Sequence, residues 1–259
     1  MCPLHRRKQD KTVEKGFSSD YDEKSLPAVR IAYITGLILY AGFAFLDIFS
    51  STSSVGILLF IRFAVICPII IVLFLLTYTS FFQKSLQVFL CISSFIGGAG
   101  ILGMIYSLQP HEPAFYFYFA SLFIVIMWSF TLSRLRFSYA ALSSWILILL
   151  YNIILIKFKN ILAYDAESLP FKLFLNSNFV LIACNIIGMM VGLTVEYYHK
   201  KEFILRSRLK SAKLEIEGEI KDRIKNEETI RSLLLEKEFI LREVHHRIKN
   251  NMSTIIALL

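Results

Sequence analysis

Apolar residues gather in six blocks between about residue 31 and residue 195 of this 259-residue chain. Each block is roughly 19–23 residues long, which is the length that a helix needs to cross the hydrocarbon core of a bilayer. We therefore predict six transmembrane helices. Their ranges are Ile31–Phe49, Ile57–Tyr78, Leu86–Leu108, Ala114–Leu132, Phe137–Ile156 and Leu173–Val195.

A different apolar pattern begins after Val195. Apolar residues recur four and three positions apart among charged residues, which is the spacing of a coiled-coil seam. This segment has no proline and a single glycine, Gly218, so the pattern predicts one long helix that pairs with a parallel second copy. The seam positions are Leu205, Leu209, Ala212, Ile216, Ile230, Leu234, Leu241, Val244 and Ile248.

Composition agrees with a membrane protein, because 56% of the residues are hydrophobic and only 19% are charged. The formal net charge is +8. The segment after Val195 holds 14 basic and 11 acidic residues, and this near balance argues against a nucleic-acid partner. We attribute the basic excess to loops that face anionic membrane lipid.

Basic residues also predict the topology. Residues 1–30 hold seven of them, the second and fourth loops hold Lys84 and Arg134, and the first and third loops hold none. We expect an inner, cytoplasmic membrane protein with multiple passes and both termini in the cytoplasm. The fifth loop opposes this arrangement, since it carries three lysines on the predicted outer side.

The stretch 243–251, which reads EVHHRIKNN, is the best candidate for chemistry. On a helix, His246 points about 160° away from the apolar seam, whereas His245 lies only about 60° from it. His246 is therefore predicted to face solvent. A neutral imidazole near pH 7 is a competent nucleophile toward a phosphoryl group.

Residues 243–259, EVHHRIKNNMSTIIALL, resemble the phospho-acceptor box of sensor histidine kinases of the second dimerisation subfamily. The family pattern is approximately E-[IVL]-H-H-R-[VI]-K-N-N-L-Q, and Met252 and Ser253 replace its Leu and Gln. The resemblance covers about 232–259. It implies that His246 accepts the phosphoryl group and that four neighbours position the phosphate and the catalytic domain. These neighbours are Glu243, Arg247, Lys249 and Asn250.

The resemblance also implies a domain order. We expect a flexible cytoplasmic arm at 1–29, a six-helix sensor domain at 30–195, a signalling coiled coil at 196–231 and a partial dimerisation and phospho-acceptor domain at 232–259. The family's ATP-binding domain has no counterpart in these residues, so we expect no kinase turnover from this chain alone. ATP and Mg belong to the complete family architecture, and we expect no cofactor or metal site here.

The implied partners are a second copy of the chain and a response regulator whose aspartate receives the phosphoryl group. An alternative is a non-catalytic membrane protein that forms heterodimers with a full histidine kinase and regulates it. A six-helix transporter with a helical tail is a third reading, which the scarcity of polar groups in mid-membrane disfavours. The apolar blocks also resemble the six-helix regions of bacterial membrane adenylate cyclases, in Arg62-Phe63 and in residues 134–137.

Few polar residues interrupt the apolar blocks. Asp47 and Arg62 could form an ion pair, but the favoured interpretation is that each snorkels separately to the outer interface. Glycines at 97, 98, 100, 188 and 192 are expected to allow close helix packing. Aromatic residues at 115–119 fit an interfacial belt. Three asparagines are candidates for hydrogen bonds between helices, namely Asn152, Asn178 and Asn185.

Overall fold

The structure is a computed structural model that describes the backbone of residues 3–51, 53–110 and 112–258. Side chains are described for 16–18, 20–51, 53–110, 112–248 and 252. Within these ranges the regular elements are all helical and no strand forms. The all-α fold class predicted from the apolar pattern is therefore confirmed.

Ten α-helices follow one another in the described ranges, with two π-helical turns at Phe60–Ile66 and Ile154–Phe158 and a 3₁₀ turn at Ile161–Ala163. The α-helices are α1 (Pro3–Gly42), α2 (Ala44–Ser50), α3 (Val55–Leu59), α4 (Cys67–Leu76), α5 (Ser80–Lys84), α6 (Leu86–Ser107), α7 (Pro113–Phe117), α8 (Phe119–Thr131), α9 (Phe137–Ile153) and α10 (Leu169–Leu258).

Six helical stretches are long and apolar enough to cross a membrane, which confirms the predicted number. Each stretch contains most or all of the corresponding predicted block, and the first and last stretches extend well beyond theirs. We number them as spans 1 to 6. The stretches cover Gly16–Ser50, Val55–Leu76, Leu86–Ser107, Pro113–Thr131, Phe137–Phe158 and Leu169–Ile248. In the last stretch only the apolar block Leu173–Val195 is called span 6, because the charged residues that follow it belong to the segment with the coiled-coil pattern.

The N-terminal segment differs from the flexible arm expected at 1–29, because α1 begins at Pro3 and continues into span 1. From residue 16 onward its side chains pack against the rest of the bundle. Phe17, Tyr21 and Val29 are buried. The hydrophobic pattern missed this helix because its apolar residues are widely spaced among charged ones, and burial of a few large side chains is enough to hold it in place.

Chain contacts divide the protein into two compact units, residues 1–201 and 202–259. In the first unit, α6 lies centrally and packs against α8, α9 and α4. The second unit consists of the later part of α10. The long helix predicted after Val195 is thus present, as part of the same helix that forms span 6.

Small residues allow the close packing that the sequence predicts. A Cβ atom at Gly98 would lie 2.5 Å from a methyl carbon of Leu147, and one at Gly188 would lie 2.5 Å from the ring of Phe130. A Cβ at Gly192 would approach the same ring to 3.1 Å. These glycines are therefore needed for the present spacing of the helices.

Pro68 accounts for the irregular middle of span 2. A proline has no N–H to donate, and its ring clashes with the carbonyl four residues earlier. The chain accommodates it by a π-helical turn over Phe60–Ile66, after which α4 begins with Pro68 in its first turn. Arg62 lies within this turn and is thereby presented to the interior of the bundle.

Candidate functional site

The segment that resembles a phospho-acceptor box is helical, since α10 continues through it to Leu258. His245 and His246 are both exposed. At about 100° per residue, His246 faces away from the seam formed by Val244 and Ile248. The predicted exposure of His246 agrees with the structure, whereas its role as a phospho-acceptor stays a prediction.

Two of the residues expected to assist His246 form an ion pair with each other. Arg247 Nε donates to Glu243 Oε1 over 2.9 Å, one helical turn apart. Both side chains are well exposed, so this pair contributes only a few tenths of a kcal/mol to the helix. Glu243 lies within about 60° of His246 around the helix. The side chains of Lys249 and Asn250 lie outside the described residues.

The seam of the second unit has no partner within the described chain. Ile230, Leu234, Leu241, Val244 and Ile248 are between 45% and 57% exposed. Charged residues occupy much of the opposite face. A helix with an uncovered apolar stripe of this kind needs a second surface to bury it.

A buried ion pair in the first unit is the main correction to the sequence analysis. The guanidinium of Arg62 donates to both carboxylate oxygens of Asp47, over 2.7 Å from Nε and 3.0 Å from Nη2. The two side chains are only 2% and 1% exposed. The interpretation that each snorkels separately to an interface is therefore wrong. In an apolar surrounding an unpaired guanidinium or carboxylate would lack hydrogen-bond partners. Pairing gives each charge a counter-charge and two hydrogen bonds.

Two tyrosines complete the surroundings of this pair. Arg62 Nη1 donates to the Tyr40 carbonyl over 2.6 Å, and its carbon Cζ lies 5.1 Å from the centre of the Tyr40 ring. The Tyr118 hydroxyl donates to Asp47. These contacts join residues of spans 1, 2 and 4 in one buried polar cluster. A movement of one span would therefore strain or break hydrogen bonds to the other two.

A buried carboxylate lies at the end of the bundle where spans 1 and 2 and spans 3 and 4 are connected. Glu112 accepts hydrogen bonds from the hydroxyls of Ser51, Ser53 and Ser54, the last over 2.7 Å. Lys159 donates to the carbonyls of Tyr106 and Leu108 close by. Burial lowers the pKa of Lys159, and the charge of Glu112 opposes this shift by raising it.

The opposite end of the bundle holds a polar junction around Arg134. This residue occupies the turn between α8 and α9 with a φ of 58°, a left-handed conformation that is uncommon outside glycine. Its carbonyl accepts a hydrogen bond of 3.3 Å from the Tyr21 hydroxyl, and its guanidinium bonds to His199. The rings of Tyr21 and His199 meet edge to face at 5.4 Å. The turn therefore connects α1 with α10.

The neighbouring residues extend this junction. The backbone N–H of Phe137 donates to Glu196 over 3.0 Å, which satisfies a free N–H at the start of α9. The backbone N–H of Arg136 donates to Gln87 over 2.8 Å, and the Gln87 amide donates to Asp22 over 2.8 Å. Spans 1, 3 and 5 thus share one hydrogen-bonded network with α10 at the point where α10 leaves span 6.

The three asparagines do not behave as expected. Asn152 and Asn178 donate to carbonyls four residues earlier in their own helices, at Ile148 and Phe174, and neither bonds to another helix within the described part of the chain. Asn185 is fully buried, and neither polar atom of its side chain has a partner among the described residues. Such a group is costly to keep in an apolar interior.

Several of these polar residues were not recognised from the sequence. Tyr118 was assigned to an interfacial belt, and Glu112 and His199 were given no role. Each one acts through a partner more than 55 residues away in the chain, as with Ser54 and Glu112 or Arg134 and His199. A local pattern carries no signal for such pairs. The one available hint was the rarity of formal charge in spans 1 and 2, which did mark Asp47 and Arg62.

Comparisons with known proteins add no relative to this picture. No protein-family model, no curated protein and no solved structure matches the chain. Among the described residues there is also no group of three or more histidine, cysteine, aspartate or glutamate side chains that could hold a metal ion. Functional inference therefore depends on the chemistry of the residues themselves.

Proposed function

We propose that this chain is the sensory and phospho-accepting part of a membrane-bound two-component histidine kinase. In this proposal the six spans lie in the cytoplasmic membrane, both termini lie in the cytoplasm, and His246 receives a phosphoryl group. The phosphoryl group then passes to an aspartate of a response regulator. ATP is the phosphoryl donor and Mg its required ion. Both would be bound by a separate ATP-binding domain that phosphorylates His246.

The observation that carries the proposal is the placement of His246 on α10. Its side chain is exposed on the face opposite the seam, within the string EVHHRIKNN. A phospho-acceptor must meet first a nucleotide and then a partner protein, so it has to stand clear of any dimer contact. The string supplies both an acceptor and flanking charges of the kind that hold phosphate.

The reaction can be written with these residues. One imidazole nitrogen of His246 forms a bond to the γ-phosphorus of ATP while the bond from that phosphorus to ADP breaks, and ADP leaves. The ring loses a proton, for which Glu243, one turn earlier, is a suitable acceptor. A carboxylate oxygen of the response regulator then attacks the phosphorus, the N–P bond breaks, and the ring regains a proton so that it leaves as neutral imidazole. Arg247 offers charge to the transferring group in both steps.

The uncovered seam of the second unit supports a parallel dimer. Each fully buried Leu, Ile or Val contributes about 1.5–3 kcal/mol, and several such positions recur along the helix. A second copy in register would bury the seam and leave both copies of His246 accessible. The helix of a different histidine kinase could bury the same seam. The second candidate function is therefore a regulatory heterodimer with such a kinase.

The outward surface of the spans supports a membrane location. Large apolar side chains face outward along the bundle, among them Ile38, Phe45 and Phe179, which are 66%, 65% and 74% exposed. A continuous apolar surface of this size is unfavourable in water and suits lipid tails. The two formal charges in the apolar parts of spans 1 and 2 are buried and paired with each other, as Arg62 and Asp47.

The junction at Arg134 supports a relay from the spans to His246. Glu196 and His199 belong to α10, and they are held by the turn that joins spans 4 and 5. A rearrangement of the spans would therefore displace the residues that precede the coiled-coil segment. Such a displacement would change how an ATP-binding domain reaches His246.

A trans-phosphorylation assay tests the proposal. The chain in lipid nanodiscs is mixed with labelled ATP, Mg and the isolated ATP-binding domain of a histidine kinase that carries the same box. We expect acid-labile, base-stable phosphate on the chain, and its loss in His246→Gln. His245→Gln is the matched control and should retain most of the label.

A chemical arm removes dependence on a compatible kinase domain. Phosphoramidate transfers a phosphoryl group to accessible histidines, His245 among them, so intact mass should show one phosphate fewer on His246→Gln than on the parent chain. Equal labelling of the His246→Gln variant in both arms would contradict the proposal. Labelling only when an intact kinase is co-reconstituted, through a heterodimer, would instead select the regulatory function.

A further inference from the structure

A cavity of about 80 Å³ lies inside the first unit, between spans 1, 2, 3 and 4. Its wall is largely apolar and aromatic, with Trp128 on one side and Ile101 on another. Arg62 lies at its edge. A cavity of about 150 Å³ admits a benzene molecule, so this one, at about half that volume, has room for a few heavy atoms, such as a hydroxymethyl or carbonyl group.

Tyr33 gives the cavity a buried hydroxyl that has the Ser93 hydroxyl near it but makes no hydrogen bond of good geometry within the described chain. Its side chain lines the cavity and is 2% exposed. Its hydroxyl has no hydrogen-bond partner among the described residues. A buried hydroxyl that is left unpaired costs free energy, and a ligand oxygen that accepts its proton would recover that cost.

Several other polar groups of the wall are already engaged, whereas the hydroxyl of Ser121, which also lines the cavity, makes no hydrogen bond among the described residues. The Ser93 hydroxyl donates to the Leu90 carbonyl, and the Ser94 hydroxyl bonds to Ser129. The Tyr40 hydroxyl donates to the Gly97 carbonyl. Two hydroxyls of the wall therefore remain for a ligand, that of the buried Tyr33 and that of the half-buried Ser121, and Tyr33 is the one enclosed by the bundle.

Charge restricts the ligand further. Arg62 is the one formal charge in the wall, and the carboxylate of Asp47 already neutralises it through two hydrogen bonds. An anionic head group would have to displace Asp47, and a cationic one would meet a net neutral wall. A neutral polar group fits best, because it loses little hydration on entry.

The side of the cavity between spans 1 and 4 is incompletely covered. Leu39 is 45% exposed, and Gly36 and Ser121 are half-buried. Gly36 has no side chain to close this gap, and Trp128 reaches across it, with its indole N–H donating to the Ala32 carbonyl over 3.4 Å. In a bilayer this gap would face the lipid tails.

We propose that the cavity binds a neutral, membrane-dissolved amphiphile whose carbonyl or hydroxyl oxygen accepts a hydrogen bond from Tyr33, while its chain leaves between spans 1 and 4. Occupation would push against spans 1 and 4 beside the Arg62–Asp47 cluster. This deepens the proposed sensory function by naming the class of stimulus. The binding itself is independent of His246.

Tryptophan quenching tests the site directly. The chain has two tryptophans, so Trp145→Phe leaves Trp128 as the reporter beside the cavity. Nanodiscs are titrated with 2-bromododecan-1-ol, which carries its quenching bromine next to the hydroxyl, and in parallel with 2-bromododecane. We expect a saturable component of quenching with the alcohol and only linear, unsaturable quenching with the hydrocarbon.

Two variants and a control refine the result. Tyr33→Phe should weaken the apparent affinity for the alcohol about two- to tenfold, the range of one hydrogen bond. Gly97→Leu should abolish the saturable component, because Gly97 lines the cavity and nothing lies within 4 Å of the position of its Cβ. Gly103→Leu is the matched control on the same helix, with equally open space but outside the cavity wall.

The outcomes separate the two proposals. Equal saturation by the alcohol and the hydrocarbon, or an unchanged affinity in Tyr33→Phe, would overturn the ligand site. Equal losses in Gly97→Leu and Gly103→Leu would do the same. His246→Gln should leave quenching unchanged. Absence of quenching would leave phosphorylation of His246 untouched, so failure of one proposal is distinguishable from failure of the other.

Discussion

Replacing Asp47 with asparagine removes the carboxylate that neutralises Arg62 while keeping nearly the same volume. The guanidinium would then remain 2% exposed without a counter-charge. Breaking a buried ion pair from one side costs about 3–5 kcal/mol, because the remaining charge stays buried. We therefore expect Asp47→Asn to shift the unfolding equilibrium by roughly two to nearly four orders of magnitude.

The same reasoning predicts strong coupling between the two positions. Arg62→Met should also be costly, since it leaves the Asp47 carboxylate buried with the Tyr118 hydroxyl as its main donor. The double variant should be far more stable than the sum of the single losses, by about 3 kcal/mol or more, because neither charge is left unpaired. Reversible unfolding by SDS in mixed micelles, followed by tryptophan fluorescence, measures all four proteins.

An exposed pair on α1 serves as the control. Lys24 and Asp20 form an ion pair whose side chains are 52% and 33% exposed. Asp20→Asn should cost less than about 1 kcal/mol. The contrary result is that Asp47→Asn and Arg62→Met each lower the free energy of unfolding by less than about 1 kcal/mol, with additive effects in the double variant. That result would show that water reaches both groups and would refute the buried cluster.

Three further changes follow from the packing. Asn185→Leu should be neutral or stabilising by about 1 kcal/mol in the same unfolding assay, because both polar atoms of Asn185 are buried without described partners. Gly188→Val should lower the free energy of unfolding by about 1–3 kcal/mol, because its side chain would clash with Phe130. Gly103→Ala is the control and should lower it by less than about 1 kcal/mol, because a Cβ at Gly103 meets nothing within 4 Å. Leu234→Lys should reduce cross-linking between copies at least severalfold if a seam joins them, while stability of the spans stays the same.

Helix number and type could be predicted from the sequence because they depend on local pattern. Runs of about twenty apolar residues have few alternatives to a spanning helix, and the boundaries of spans 2 to 5 agree with the structure within a few residues. The periodic seam after Val195 likewise predicts a helix without reference to any distant contact. The exposed face of His246 follows from the same periodicity.

The polar clusters could not be predicted because they depend on which helices become neighbours. Asp47 and Arg62 are fifteen residues apart, and burial of both requires the π-helical turn before Pro68 to aim Arg62 inward. The junction between Arg134 and His199 joins residues 65 apart. The helical form of residues 16–29 was not predicted because it depends on burial of a few side chains, such as Phe17 and Tyr21, which is a tertiary effect.

Site mapping on the trans-phosphorylated chain tests the central claim most directly. Peptides from the labelled protein would be sequenced by electron-transfer mass spectrometry, which leaves phosphohistidine intact. The account requires the phosphate on His246, at high occupancy, with His245 unmodified. Phosphate located on His245 or elsewhere in the chain, with His246 bare, would contradict it.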